Sequence, residues 1–395
     1  MADVVVVGGG IIGAACAYEL ARSGASVTLL EKDELAAGAS GRNLGFVDLP
    51  RDQDLIPLAR ASLERYLEVT AEPPVPVHVD RDPIGTLTAA LDEGGVDAIR
   101  LEAEQAEANG VRVEHLDSDA SRELEPELSP EVLETWLLHA GHRVDPAALT
   151  VCLAHLARRH GATIRHHLPA RKLISNGDRV TGVVTDDGIV GADTVVVAAG
   201  PWSTALVRPL GISLPVAGAR GWLVHLSPTR PLIRHWIEGA ARLLFREHLD
   251  PVTGNAFASG QIPHDVGPMI QPSPDGSVLA GTSREPALTT EPFGLEAPRR
   301  LMQQSIRIVP ALADAPVLAT WSGVRPMSPD ERPLIGWLGD GLLVATGHGS
   351  EGVILGAGTG MQVAALALGE DPPFDPTPLD PTRFEKEGAW TTQRS

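Results

Sequence analysis

The chain has 395 residues, 43% of them hydrophobic and 21% charged, which is an ordinary globular composition and enough length for two domains or one large composite. A net charge of −19 without any basic stripe argues against nucleic acid and anionic membrane as partners, and no run of 18 apolar residues predicts a transmembrane helix. The two cysteines, Cys16 and Cys152, have no metal or redox spacing and fall in predicted helices, so buried thiols in a reducing, cytoplasmic setting are expected; no metal ligand set is read.

The chain opens on Asp3 to Gly13, DVVVVGGGIIG. Four valines have the length and β-branching of a strand buried on both faces, and Ala14 to Ser23 reads as the helix after it. Between them lies Gly8-x-Gly10-x-x-Gly13. Here Gly8 permits the turn, Gly10 lets a pyrophosphate approach the backbone, and Gly13 lets the helix pack on the strand, with Ile11 and Ile12 between the glycines counted among the cofactor-binding residues. The helix N-terminus offers free N–H groups to phosphate. A glycine pattern alone is weak evidence in a chain with 41 glycines, and Gly347-x-Gly349-x-x-Gly352 matches as well. The first match is set apart by the chain downstream of it: Ala25 to Leu30 reads as a second strand ending in Glu31, an acid placed to accept from ribose hydroxyls. Lys32 beside it leaves a 2′-phosphate open. The first strand begins at residue 3, so no signal peptide is expected.

The segment from Lys32 to Asp48 reads as a ligand-facing loop, with Arg42 and Asn43 as donors suited to a phosphate or a flavin ring edge. Asp54 to Val69 reads as an amphipathic helix with Pro57 in its first turn. From His78 to His139 the pattern predicts a strand over Ile84 to Ala90, helices over Glu93 to Asn109 and Ser118 to Leu124, and a strand over Trp136 to His139. Asp145 and Pro146 then cap a helix, Ala147 to His160. Short strands come next at Ala162 to His167, Ala170 to Ser175, Val180 to Asp186 and Ile189 to Gly191, turned at Asn176-Gly177 and Asp187-Gly188. Thr194 to Ala199 reads as another buried strand, ending in Gly200-Pro201-Trp202. Near the C-terminus, Leu342 to Thr346 reads as a strand, Gly347 to Gly352 as a turn, and Val353 to Leu368 as a helix.

The order of VVVVGGGIIGAACAYELARSGASVTLLEK, AGASGRNLG, HRVDPAALTVCLAHLARRHGA, ADTVVVAAGPWS, LPVAGARG, DGSVLAGTSRE, WSGVRPMSPDERPLIG and GHGSEGVILGAGTG resembles the flavoprotein family that includes glycine oxidase, monomeric sarcosine oxidase and D-amino-acid oxidase or dehydrogenase. The resemblance implies an α/β fold, with a Rossmann-like FAD-binding domain of the glutathione-reductase type and a smaller antiparallel-sheet substrate domain. The FAD-binding domain would be discontinuous, over 1–76, 143–215 and 318–395, with the substrate domain over 77–142 and 216–317. It implies FAD as cofactor and oxidation of a C–N bond of an amino acid or N-substituted amino acid, by hydride transfer to flavin N5 and hydrolysis of the resulting imine. Electrons would pass to O2 or to a dye or quinone-type acceptor.

By the same resemblance, Glu31 holds the adenosine ribose and Ser40, Gly41, Arg42, Asn43, Leu44 and Gly45 line the pyrophosphate and flavin. Arg171 passes backbone to the adenine, and Ala199, Gly200 and Trp202 form a further cofactor contact. Arg325, in Gly323-Val324-Arg325-Pro326, matches the arginine that clamps the substrate carboxylate, as a guanidinium fork is suited to do. Gly349, Ser350, Glu351, Gly352 and Val353 bring amides to the flavin edge where negative charge develops. His348 either points into the active site or is held by nearby backbone.

Three departures stand out. The only tyrosines, Tyr18 and Tyr66, lie in N-terminal helices, so the tyrosine that assists the arginine in several relatives is missing; Trp222, His225, Trp236, Arg246 and Gln261 stand as replacements, unranked. No lysine lies between Lys172 and Lys386, so oxygen activation by a lysine near the flavin is not expected. The cysteine and histidine that carry covalent flavin in relatives are absent around Arg325 and from Ser40 to Gly45, so FAD is expected to be non-covalent. Two other readings stay open: a flavoprotein subunit active only with a partner, and an NAD(P)-dependent dehydrogenase sharing only the N-terminal start. A homo-oligomer or a hetero-subunit assembly is compatible with the sequence.

Overall fold

A computed structural model describes residues 3–50, 52–240, 243, 265–286 and 294–384. The N-terminal valines form the strand Asp3–Val7, which lies inside a six-stranded sheet. It pairs in parallel with Ser26–Leu30 on one side and Thr194–Val197 on the other. Beyond them lie Thr163–Arg165 at one edge, and Leu342–Thr346 followed by an antiparallel Leu334–Gly339 at the other. Alternation of side chains sends Val4 and Val6 into one apolar cluster and Val5 and Val7 into another, so the run is buried on both faces.

Four helices cover the first of these faces: Ile11–Arg22, Ile56–Val69, Pro146–Arg159 and Gly352–Leu368. The first begins at Ile11, three residues earlier than the sequence suggests, because Gly10 is already its N-cap. Asp145 caps the third by accepting from Ala148 N–H at 2.9 Å. The last helix approaches its neighbours closely through glycines. A Cβ on Gly358 would stand 2.4 Å from Leu58 O, and one on Gly360 2.7 Å from Ala15 O. Tyr66 ties the same helix down, its hydroxyl donating to Val353 O at 2.8 Å. The opposite face of the sheet carries the three-stranded meander Lys172–Asn176, Arg179–Thr185 and Gly188–Gly191.

An eight-stranded sheet forms the other layer. Its order is Val317–Met327, Ala217–Leu226, Val278–Pro286, Asp265–Pro272, Trp236–Gly239, Thr86–Ala90, Glu134–Leu138 and Val113–Asp117. All neighbours are antiparallel except Trp236–Gly239 and Thr86–Ala90. The helix Glu296–Ile308 packs on it. The boundary expected at 317/318 falls at the start of one strand, and all of Val317–Met327 hydrogen-bonds into this sheet, so Arg325 stands on its wall. Val113–Asp117 lacks an apolar alternation because it is a half-exposed edge strand, and periodicity therefore misses it.

Candidate active site

A cavity of about 670 Å³ runs between the end of the parallel sheet and the face of the eight-stranded sheet. At its nucleotide end the first strand, the glycine turn and the first helix meet. Gly8 has φ +116°, and a Cβ there would stand 2.3 Å from Ala198 O. A Cβ on Gly13 would stand 1.9 Å from Gly8 O, so only hydrogen fits between helix and turn. Gly10, Ile11 and Ile12 present the start of the helix to the cavity. Ser40 reaches over it, its Oγ accepting from Ile11 N–H at 2.8 Å.

The Glu31 carboxylate sits at the end of the second strand. It accepts from Gly9 N–H at 2.6 Å and from Asp33 N–H at 2.8 Å. These two bonds fix the acid at the cavity wall and leave lone pairs for further donors. Lys32 pairs with Asp33 and lies 4.6 Å from the centre of the Trp202 ring. Gly200, with φ +55°, has its carbonyl held by the Thr346 hydroxyl at 3.0 Å. Arg171 lines the same end, but its N–H is already bonded to Val184 O at 2.8 Å, and its guanidinium is held in a bidentate pair by Asp186. Its backbone N–H is therefore already used within the protein.

The loop from 36 to 45 departs from the sequence reading. Asn43 donates both amide hydrogens to the Ala39 and Ser40 carbonyls and accepts from Gly45 N–H, so it staples the loop rather than offering donors to a ligand. Arg42 donates from Nε to Ala37 O and from Nη1 to Ser322 O, joining the loop to the eight-stranded sheet. Short polar side chains beside backbone carbonyls satisfy those carbonyls first, which is the physical reason for the difference at Asn43. Leu44 turns inward and packs with Leu223 and Trp236. Gly45 has φ +76° and would bring a Cβ within 2.0 Å of Val144 O.

At the far end stands Arg325. Nη1 donates to Ser283 O at 3.1 Å and Nη2 donates to the Thr282 hydroxyl. Burial and the neighbouring Arg284 charge lower its pKa to about 10, partly opposed by Glu331, so the group is protonated at neutral pH. Arg284 is bound to Glu331 at 2.5 Å and reaches Ser350 Oγ at 3.4 Å. Arg284, Glu331, Thr282 and Ser283 all line the cavity, and none is singled out by the sequence. They lie within the motif-bearing stretches, but no spacing marks them; strand pairing brings Thr282, Ser283 and Arg284 to Arg325, and the turn after its own strand brings Glu331.

The turn before the last helix closes this end. Gly349 N–H donates to Pro326 O at 2.8 Å, so the turn is bonded to the strand that carries Arg325. His348 is buried, with Nε2 3.0 Å from Thr359 Oγ1. Because the Thr359 hydroxyl donates to Leu355 O, it accepts from the ring, which puts the imidazole proton on Nε2. Nδ1 has no partner among the described residues, and burial lowers the pKa to about 3. His348 is therefore neutral, and it bonds a helix side chain rather than loop backbone.

Every site residue named from the sequence lines the cavity except Gly13 and Gly41, which act through close packing. The replacements for the missing tyrosine fare differently. Trp222 donates its ring N–H to Glu285, His225 bonds Ser277, and Trp236 is wholly buried against Phe46; none of the three lines the cavity. Arg246 and Gln261 lie outside the described residues.

The chain belongs to the FAD dependent oxidoreductase family (DAO), whose model matches residues 3–366. It is an FAD-dependent oxidoreductase, and the nicotinamide reading falls away. It is 32% identical over 391 residues to the 4-methylaminobutanoate oxidase (formaldehyde-forming) of Paenarthrobacter nicotinovorans, covering 96% of this chain and 45% of that longer protein. It is 27% identical to the glycine oxidase of Geobacillus kaustophilus, covering 96% of this chain and 97% of that one. The crystal structure of glycine oxidase from Geobacillus kaustophilus superposes with a TM-score of 0.83 at 25% identity, over 97% of this chain and 99% of the other. The cavity suits FAD on its own geometry: a glycine cradle that a Cβ would fill, a fixed acid beside it, and a long space leading to a half-buried guanidinium.

Proposed function

We propose that the protein oxidises the C–N bond of a small amino acid or N-methylated amino acid, with the substrate carboxylate held on Arg325. The observation that carries this is the state of that guanidinium. It lines the cavity, is charged, and has its hydrogen bonds at Ser283 O and Thr282 Oγ1, neither of them a carboxylate. A half-buried cation so placed gains from an anionic ligand with two acceptor oxygens. The relatives that act on glycine and on 4-methylaminobutanoate support a substrate carrying both an amine and a carboxylate.

FAD, when bound, supplies the hydride acceptor. The chain supplies orientation: Arg325 anchors the carboxylate, the Arg284–Glu331 pair walls the cavity beside it, and the turn from Gly347 to Gly352 lines the same space. His348 holds that turn to the helix through Thr359, and its lowered pKa makes it a weak proton acceptor. The substrate amine enters deprotonated and needs no base from the protein.

The nucleotide end, from Gly8 to Gly13 with Glu31 and Arg171, takes the adenosine diphosphate half. The cofactor domain is then 1–76, 143–215 and the chain beyond Met327, and the substrate domain comprises the eight-stranded sheet. FAD is held non-covalently, since both cysteines are buried in helices and the loop from 40 to 45 has no histidine. The same two thiols support a reducing, cytoplasmic setting, and no described helix is long and apolar enough to cross a membrane. O2 is the proposed acceptor.

The test is to purify the chain alone, release its flavin by denaturation, and assay glycine, sarcosine and 4-methylaminobutanoate for peroxide. Peroxide formation with a carboxylate-bearing amine supports the proposal; turnover only with a dye or quinone-type acceptor changes the acceptor, and no turnover with any of them contradicts the substrate class.

A further inference from the structure

A second constellation lies on the outer rim of the nucleotide end. The strand Thr163–Arg165 is followed directly by His166 and His167, and the strand Ser26–Leu30 by Glu31 to Glu34. The Glu34 carboxylate lies between the two rings. Its Oε1 is 2.8 Å from His167 Nε2, and its Oε2 is 3.4 Å from His166 Nδ1. The ring centroids are 4.9 Å apart.

Consecutive residues of an extended strand point to opposite faces, so two adjacent histidines do not ordinarily share a partner. Here His167 has φ +55°, in the left-handed region that a histidine adopts at a cost. Two backbone bonds hold it there: His167 N–H to Asp33 O at 3.1 Å, and Leu168 N–H to Glu31 O at 2.8 Å. That reversal of the chain brings both rings to one carboxylate.

We propose that Glu34, His166 and His167 form a binding site for a divalent transition-metal ion of the zinc class. The three side chains present two imidazole nitrogens and a carboxylate oxygen within 4.8 Å of one another. Zinc bound by such ligands at about 2.0–2.2 Å in a tetrahedron needs ligand atoms roughly 3.3–3.5 Å apart, so shifts of about 1 Å complete the set. The side chains are half or more exposed, which leaves a fourth position to water and an open path for the ion. On binding, the His167 Nε2 lone pair replaces its N–H toward Glu34, the ring proton moving to Nδ1 or to solvent. The ion ties together the two chain segments that lead to Glu31 and to Arg171, so it braces the rim of the cofactor cavity from outside.

The experiment uses the FAD-loaded protein, stripped of metal with a chelator, and titrates it with zinc ion alone by calorimetry. One saturable equivalent is expected, with cobalt ion giving the visible spectrum of a low-coordinate N/O site. Glu34→Gln removes one ligand on the surface, and His167→Asn removes another while keeping a residue that tolerates φ above zero. Each is expected to weaken zinc binding by at least about tenfold, since losing even a hydrogen-bond partner of a ligand costs that much. Absence of saturable binding in the parent protein, or undiminished binding in both variants, overturns the proposal. Circular dichroism and flavin content confirm that the variants remain folded.

Discussion

Arg325 lies directly over Gly221 on the neighbouring antiparallel strand. A Cβ on Gly221 would stand 2.2 Å from Arg325 Nη1 and 2.7 Å from Cζ, so the guanidinium occupies the space that any side chain would need. In register, Arg325 is opposite Ala219 and Gly221 is opposite Gly323, which makes the contact a diagonal one across the pair. Gly221 thus sets where the charge stands.

Gly221→Ala is expected to displace the guanidinium and break its bonds to Thr282 and Ser283 without unfolding the sheet. Steady-state kinetics should show kcat/KM lowered by about 10- to 100-fold, since misplacement of a binding group by an ångström has effects of that order. Flavin content and thermal midpoint should stay close to those of the parent.

Removing the cation itself should act more strongly. Arg325→Ala is expected to keep bound FAD but lose about 100-fold or more in kcat/KM, because two charge-assisted hydrogen bonds to a carboxylate are forfeited. Arg325→Lys should recover only part of this, as an ammonium cannot reproduce the planar fork. Parental kinetics in Arg325→Ala would rule out the carboxylate clamp.

The two cradle glycines should separate packing from ligand contact. Gly13→Ala puts a Cβ 1.9 Å from the backbone oxygen of Gly8, which cannot yield, so helix and strand must part. Destabilisation by about 1–3 kcal/mol and loss of FAD are expected in urea unfolding and absorbance measurements. Gly10→Ala meets the movable Ser40 Oγ at 2.9 Å, so the fold should persist while FAD binds more weakly.

His348 gives a pH signature. Its folded pKa is lowered to about 3, whereas an unfolded histidine titrates near 6.5. Between these values the unfolded chain binds the extra proton, so the stability contributed by keeping this ring neutral is present above pH 6.5 and is lost as pH falls toward 3. His348→Gln, which can still donate to Thr359, should flatten the fall in urea stability between pH 6.5 and 4. An unchanged slope would mean that the ring is not buried neutral.

How far the sequence reveals this arrangement depends on the range of the contacts. Local chemistry suffices for the valine strand, the glycine turn, Asp145 as helix cap and the acid at Glu31, because each rests on neighbours within a few residues. The role of Arg325 comes with the motif around it. Its surroundings do not: Gly221, Thr282 and Ser283 reach it only through strand pairing across tens of residues. Asn43 and Arg42 look like ligand donors in isolation and are used by nearby carbonyls, a competition that no spacing displays. Trp222, one of the replacements for the missing tyrosine, points elsewhere because alternation puts it on the face opposite Gly221.

Whether Arg325 orients an amine by its carboxylate is decided by anaerobic titration of the purified protein with 4-methylaminobutanoate, sarcosine and glycine, each compared with the same amine lacking its carboxylate. The visible flavin band is expected to bleach with at least one amino acid, to persist with the matching simple amine, and to persist with the amino acid in Arg325→Ala. Equal bleaching with and without the carboxylate, or in the Arg325→Ala protein, would contradict the carboxylate clamp.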